Sequence, residues 1–209
     1  MLEHIPTWLG KAMSGLRAGD DKLATVQLCG DTGMAFESMD LSSPAFAHES
    51  RLPPRFTQDG EGVSPPLVWN GPPAGTKTLV LIVEDPDAPA PQPLVHAIVW
   101  GLDAGSGRIE EGAIVADAAS DPAGRDVGRN SYLREGWLPP DPPSGHGEHR
   151  YVFQLFAVDA GAGDPGDTPG RTAVIEAITG HVLAAGLLIG TYSRDEEAPV
   201  GPIGEGAIA

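Results

Sequence analysis

Cysteine is nearly absent: Cys29 is the only one in 209 residues, which excludes an internal disulfide and any multi-cysteine zinc site and fits a reducing compartment. Basic residues are also few, with 13 Lys and Arg against 29 Asp and Glu and a formal net charge of -16. Counterion release from nucleic acid and attraction to anionic lipid both need a basic surface, so no nucleic-acid partner and no membrane contact are expected. No apolar run approaches the roughly 20 residues that cross a bilayer. Nor does a basic start followed by a continuous apolar segment open the chain, so a cytoplasmic location is the expectation.

Glycine (28) and proline (21) are abundant and spread along the chain, and 41% of the residues are hydrophobic. That mixture favours many short strands joined by turns over a helical bundle. The length suits one well-cored domain. The expected division is an N-terminal amphipathic helix appendage over 1–24, a domain over 25–193 and an acidic, then Gly- and Pro-rich tail over 194–209.

Two stretches carry the chemistry. In the first, Leu79-Val80-Leu81-Ile82-Val83 reads as a strand covered on both faces. It stops at Glu84-Asp85-Pro86-Asp87-Ala88-Pro89, where proline fixes φ and aspartate side chains bond nearby amides, so two carboxylates sit on a stiff turn. A second apolar run, Leu94 to Trp100, contains His96, which needs a polar partner if buried. Ala88-Pro89 is a candidate cis bond. The second stretch is a proline loop, Pro139-Pro140-Asp141-Pro142-Pro143, feeding a strand that begins His149-Arg150-Tyr151. Alternation along that strand puts His149 and Tyr151 on one face and Arg150 on the other. Such a pair can present donors to a small anion, or Tyr151 can pack in the core while His149 caps a turn.

The other strand candidates are Thr25–Cys29, Phe36–Leu41, Leu67–Trp69, Thr78–Glu84, Val95–Leu102, Arg150–Val158 and Leu187–Tyr192. Helical stripes are expected near the N-terminus (Leu2, Ile5, Leu9, Met13, Leu16) and over Thr172–Ala185. The first needs a docking surface, on its own domain or on a second copy in a homodimer. The long loop from Gly112 to Asp141 is a candidate for site contacts. The tail after Ser193 shows no chemistry. Trp69 and Trp100 are expected in the core, Trp8 in the first helical stripe, and Cys29 as a buried small hydrophobe.

Several of these motifs occur together, in order and spacing, in one family. Phe56 to Trp69, the Asp85-Pro86-Asp87-Ala88-Pro89 turn with the later His96, Pro142-Pro143 to His149-Arg150-Tyr151, and Gly180 to Tyr192 make the chain resemble the phosphatidylethanolamine-binding proteins, and most closely the bacterial Raf-kinase-inhibitor-like group. The resemblance implies a mainly β fold, an antiparallel β-sandwich with a few peripheral helices. It also implies an anion-binding pocket formed by Asp85, His96, Pro142, Pro143, His149 and Tyr151, with Asp87 in support and no obligatory cofactor or metal. Family members bind phosphate-like groups, including phospholipid headgroups, and eukaryotic ones inhibit kinases or proteases. The sequence departs from the pattern at Pro139 and Asp141, where an extra carboxylate near the mouth would repel an anion. Gln58 and Gly62 stand where many relatives have Cys and Asn.

The expected arrangement has Asp85 orienting imidazoles while His96 and His149 face the ligand as donors, so that binding weakens as pH rises through the histidine range. Two other functions compete. One is a hydrolase using Asp85 with His96 or His149, but no Gly-x-Ser-x-Gly elbow supplies a nucleophile. The other is a metal-binding module built from Asp85, His96, His146 and His149.

Overall fold

The computed structural model describes residues 7–33, 36–116 and 126–194. The expectations for residues 1–6, part of the long loop (117–125) and the tail beyond 194 lie outside them. The main sheet has seven strands: β1 (Glu37–Ser38), β3 (Ser50–Arg51), β5 (Thr78–Asp85), β6 (Leu94–Leu102), β8 (Asp126–Val127), β9 (His149–Val158) and β10 (Val182–Tyr192). Its order is β1-β10-β9-β5-β6-β8, with β3 pairing alongside β10. A second sheet of β2 (Asp40–Ser42), β4 (Leu67–Asn70) and β7 (Gly107–Ile109) packs over one face. The β5-β6, β5-β9 and β9-β10 pairs are antiparallel. This is a β-sandwich with peripheral helices.

The alternation along β5 explains the layers. Leu79, Leu81 and Val83 enter a core with Leu67, Trp69 and Ile109 of the small sheet, while Val80 and Ile82 meet helices on the other face. Those helices are α2 (Ala24–Thr32), contributing Ala24 and Leu28, and α3 (Arg171–Ile178), contributing Val174, Ile175 and Ile178. Each fully buried aliphatic side chain contributes roughly 1.5–3 kcal/mol, which is why this uninterrupted run belongs in a strand sandwiched on both sides. Glu84, with no exposed surface, is held from the helix side by the Ala24 amide, the Gln154 amide group and the Arg171 guanidinium.

Four expectations are corrected. Thr25–Cys29 is the middle of helix α2 rather than a strand, because Ala24 and Leu28, four apart, are the residues that bury against the sheet. Cys29 on that helix is only half-buried. The helix expected over Thr172–Ala185 ends at Ile178, and the chain turns at Gly180 (φ 80°) into β10, which starts at Val182. Ala88-Pro89 is trans, as are the other described peptide bonds. The first helix, α1, spans Thr7–Met13, and Trp8 on it is exposed.

The folding pattern gathers the two chemical stretches. β5 ends at Asp85 opposite Leu94, where β6 begins, and β9 begins at His149 beside them, so the acidic turn, His96 and the His149–Tyr151 segment share one end of the sheet.

Candidate ligand-binding site

At that end lies a cleft of about 700 Å³ lined by Asp85, His96, His149, Ala88 and Pro89 from the strands and turn, and by Trp137 to Pro139, Asp141, Pro142 and Pro143 from the proline loop. Gln58, Asn130, Tyr132, Arg134 and Glu135 complete its rim. All the residues expected to line the pocket do so except Tyr151, which is fully buried behind it.

His96 is buried, with its Nδ1 2.6 Å from the Leu138 carbonyl. A carbonyl only accepts, so Nδ1 carries the hydrogen. Burial pushes the His96 pKa down, against a smaller upward pull from Asp85, so the ring is neutral in the free protein and Nε2 is an acceptor. That Nε2 is buried and has no partner. Tyr151 stands edge-on to the ring, centroids 5.0 Å apart, and its buried hydroxyl also lacks a partner. Burial and the nearby Asp85 raise the Tyr151 pKa well above its ordinary value, so the hydroxyl remains a donor. A buried unsatisfied polar group costs roughly 1–3 kcal/mol, and two side by side mark a place prepared for something polar.

His149 behaves differently from its expected role. Its Nδ1 lies 2.7 Å from Asp85 Oδ2 and its Nε2 lies 2.7 Å from His146 Nδ1, so neither nitrogen is left to face a ligand. His146 Nε2 in turn points to the Met13 and Leu16 carbonyls at 2.9 and 3.2 Å. The other Asp85 oxygen accepts the Asp87 amide at 2.8 Å. Asp87 is held by Arg150 through backbone and side chain and by Arg17. Burial pushes its pKa up, but the hydrogen bonds from the two arginines outweigh this and hold it below the usual carboxylate range. Arg150, pointing away from His149 and Tyr151 as strand alternation requires, also pairs with Asp20.

On the proline-loop side, Asp141 does not stand as an uncompensated charge. Its Oδ1 lies 2.6 Å from Arg194 Nη2, and the same guanidinium bonds Asp59 and the Pro142 carbonyl. The view that no chemistry follows Ser193 is therefore corrected. Arg194, the first residue past the expected domain boundary, pairs with both carboxylates of this wall, Asp141 and Asp59. No signal in the sequence marked Arg194. His146 has one, its spacing of three from His149, which suits a hydrogen-bonded pair near a turn better than a metal site. Both nitrogens of each of these histidines are engaged in hydrogen bonds, and among the described residues no group of three or more His, Cys, Asp or Glu side chains could hold a metal ion.

The family model described as phosphatidylethanolamine-binding protein matches residues 42–193. The chain belongs to the phosphatidylethanolamine-binding protein family. Among curated relatives, a UPF0098 protein of Methanothermobacter thermautotrophicus is 41% identical over 157 residues, covering 75% of this chain and 99% of that protein. A solved phosphatidylethanolamine-binding protein homolog from Chlamydia trachomatis is 34% identical with a TM-score of 0.66, covering 76% of this chain and 99% of that one. E. coli YbcL, described as a member of the mammalian family, is 25% identical with a TM-score of 0.68, over 75% and 98% of the two chains. The family match begins at residue 42, so α1 and α2, including the Met13 and Leu16 carbonyls that meet His146, precede it. Among the described residues no helix is long and apolar enough to cross a membrane.

Proposed function

We propose that this family member is a non-enzymatic binding protein whose cleft takes the phosphate group, or a similar oxyanion, of a small ligand, with His96 and Tyr151 as the binding pair. The observation that carries this is the unpartnered His96 Nε2 beside the unpartnered Tyr151 hydroxyl at the cleft, where Asp85 is engaged by His149 and Asp141 by Arg194. Tyr151 offers a hydrogen to the ligand. Neutral His96 offers a lone pair, so the ligand must bring a proton to it or His96 must take one up. Either way one proton accompanies binding of an acceptor-only oxyanion. Affinity for such a ligand rises as pH falls, the direction the sequence indicates, although His96 alone accounts for it.

The hydrolase alternative loses its parts. Among the described residues no Ser, Thr, Cys or Lys lines the cleft, the Asp85–His149 pair spends its second nitrogen on His146, and His96, whose Nε2 is bare, bonds the Leu138 carbonyl rather than Asp85, so no Asp–His pair faces a nucleophile.

The test compares inorganic phosphate with sulfate by calorimetric titration across the range from about pH 6 to about pH 8. Phosphate keeps a hydroxyl throughout this range and is expected to keep its affinity. Sulfate, an acceptor only, is expected to weaken about tenfold per pH unit between the pKa of His96 in the free protein and its higher value in the sulfate complex, the range over which binding takes up one proton. No saturable binding of either ion, or identical pH profiles for both, would contradict the proposal.

A further inference from the structure

A segment outside the family match lies against the acidic turn and the His146 loop. From the end of α1 the chain runs along the acidic turn, with the Ala18 amide donating to the Ala88 carbonyl at 3.0 Å and the Gly19 amide to the Pro86 carbonyl at 2.9 Å. Arg17 reaches Asp87 and the Glu148 carbonyl, and Lys22 bonds the Pro91 carbonyl. At Gly10 the helix lies against the His146 loop so closely that an added Cβ would fall 2.1 Å from the Ser144 carbonyl oxygen. The loop itself turns through Gly145 (φ 83°) and Gly147 (φ 102°), which aims His146 inward between strap and site.

Hydrogen counting along this contact fixes a proton. The Met13 and Leu16 carbonyls only accept, so His146 Nε2 carries a hydrogen. Burial, with the neighbouring His149, lowers the His146 pKa, so this ring is neutral and its Nδ1 is bare. His149 Nε2 must then donate to it. One more hydrogen is needed between His149 Nδ1 and Asp85 Oδ2. The Asp85–His149 pair therefore holds two hydrogens and is neutral overall. Because Asp85 Oδ1 accepts an amide, the ionic form, imidazolium with carboxylate, is the better satisfied. The other charged groups near this relay, Asp87, Arg17, Arg150 and Asp20, are paired among themselves.

We propose that His146, held by the strap of residues 10–22, is a positioning residue that keeps His149 protonated against Asp85, so that Asp85 presents no uncompensated charge to an oxyanion in the cleft. Without the strap, His146 loses the acceptors that orient it, His149 loses its obligation to donate, and Asp85 faces the ligand as an unneutralised charge. The inference rests on the oxyanion reading for its effect on affinity, but not for the proton arrangement.

The test uses the full chain and three variants. ¹⁵N imidazole spectra at neutral pH are expected to show His149 doubly protonated in the unmodified protein, and to lose that signature in Gly10→Leu, which forces α1 off the loop, and in His146→Leu. His146→Gln, whose amide both accepts and donates, is expected to restore it. Inorganic phosphate affinity should fall about tenfold in the first two variants and recover to within about threefold in the third. In the unmodified protein, saturating phosphate should slow hydrogen exchange of the Ala18 and Gly19 amides, because coupling is reciprocal. This last measurement needs no variant to fold. A neutral His149 in the unmodified chain, or a phosphate-bound protein whose strap amides exchange unchanged, would overturn the proposal. If phosphate fails to bind at all, the oxyanion reading falls and the imidazole spectra alone decide the strap's role: a charged His149 that Gly10→Leu leaves charged would refute it.

Discussion

The two halves of the site, a few residues apart in sequence, differ in how their polar atoms are satisfied. Behind the acidic turn, Asp85, Asp87, His146, His149 and Arg150 all have hydrogen-bond partners within the protein. In front of it, His96 and Tyr151 each keep one buried polar atom without any. A satisfied network holds geometry, whereas an unsatisfied pair stores a cost that a ligand can relieve. The contrast separates scaffold from binding surface among residues that the family motif presents together.

Breaking the back half should cost the most stability. Asp87→Ala removes the acceptor of Arg150 and Arg17 from a buried position, and a loss of about 2–3 kcal/mol is expected in urea unfolding, below the full value of a buried pair because both guanidiniums are about two-fifths exposed. Breaking the front half should instead cost affinity. His96→Phe keeps a ring of similar size and is expected to lower phosphate affinity by about 10- to 100-fold, read by calorimetry.

Tyr151→Phe sharpens the comparison further. Deleting a hydroxyl that has no partner should leave the ligand-free protein as stable as before, or more stable by about 0.5 kcal/mol, while phosphate affinity drops about three- to tenfold. A substitution that stabilises the free protein while weakening binding is the signature of a front-half residue. An equal loss of both would return Tyr151 to the role of a core residue.

The histidines supply a smaller, pH-dependent effect. Folded-state values for His96 and His146 lie below the ordinary 6.5, so the unfolded chain binds more protons near that pH. Their contribution to stability is complete above about pH 6.5 and is lost as pH falls through it, with Asp87, also held low, adding a further loss in the acid range below about pH 4. The share of the urea midpoint set by His96 and His146 should decline on acidification. The decline attributable to His146 should vanish in His146→Gln.

How much of this was legible in the sequence follows from which physical signal was local. The strand Thr78–Asp85 and its turn could be read because an apolar run and proline-aspartate chemistry both act within a few residues. The alternation that placed His149 and Tyr151 on one face was equally local. Thr25–Cys29 was misread because Thr-Val-Gln-Leu-Cys alternates like a strand. Its burial is set by Ala24 and Leu28 against a sheet formed by residues far along the chain. The apolar residues on both sides of Gly180 satisfied a helical stripe, yet the strand beginning at Val182 is fixed by its pairing with β9. The direction in which His149 spends its second nitrogen was not legible at all, because its partner's partners are main-chain carbonyls of a segment 130 or more residues earlier. Arg194 and Asp141 are likewise an encounter that no spacing rule foretells.

The most direct measurement is a titration of ¹⁵N-labelled protein with inorganic phosphate, following the imidazole nitrogens of all three site histidines. His96 Nε2 is expected to shift saturably, reporting a new hydrogen bond at the atom that now has none, while His146 and His149 hold their signals. Saturable shifts at His149 with His96 unmoved would place the ligand on the other half of the site and contradict the division drawn between them.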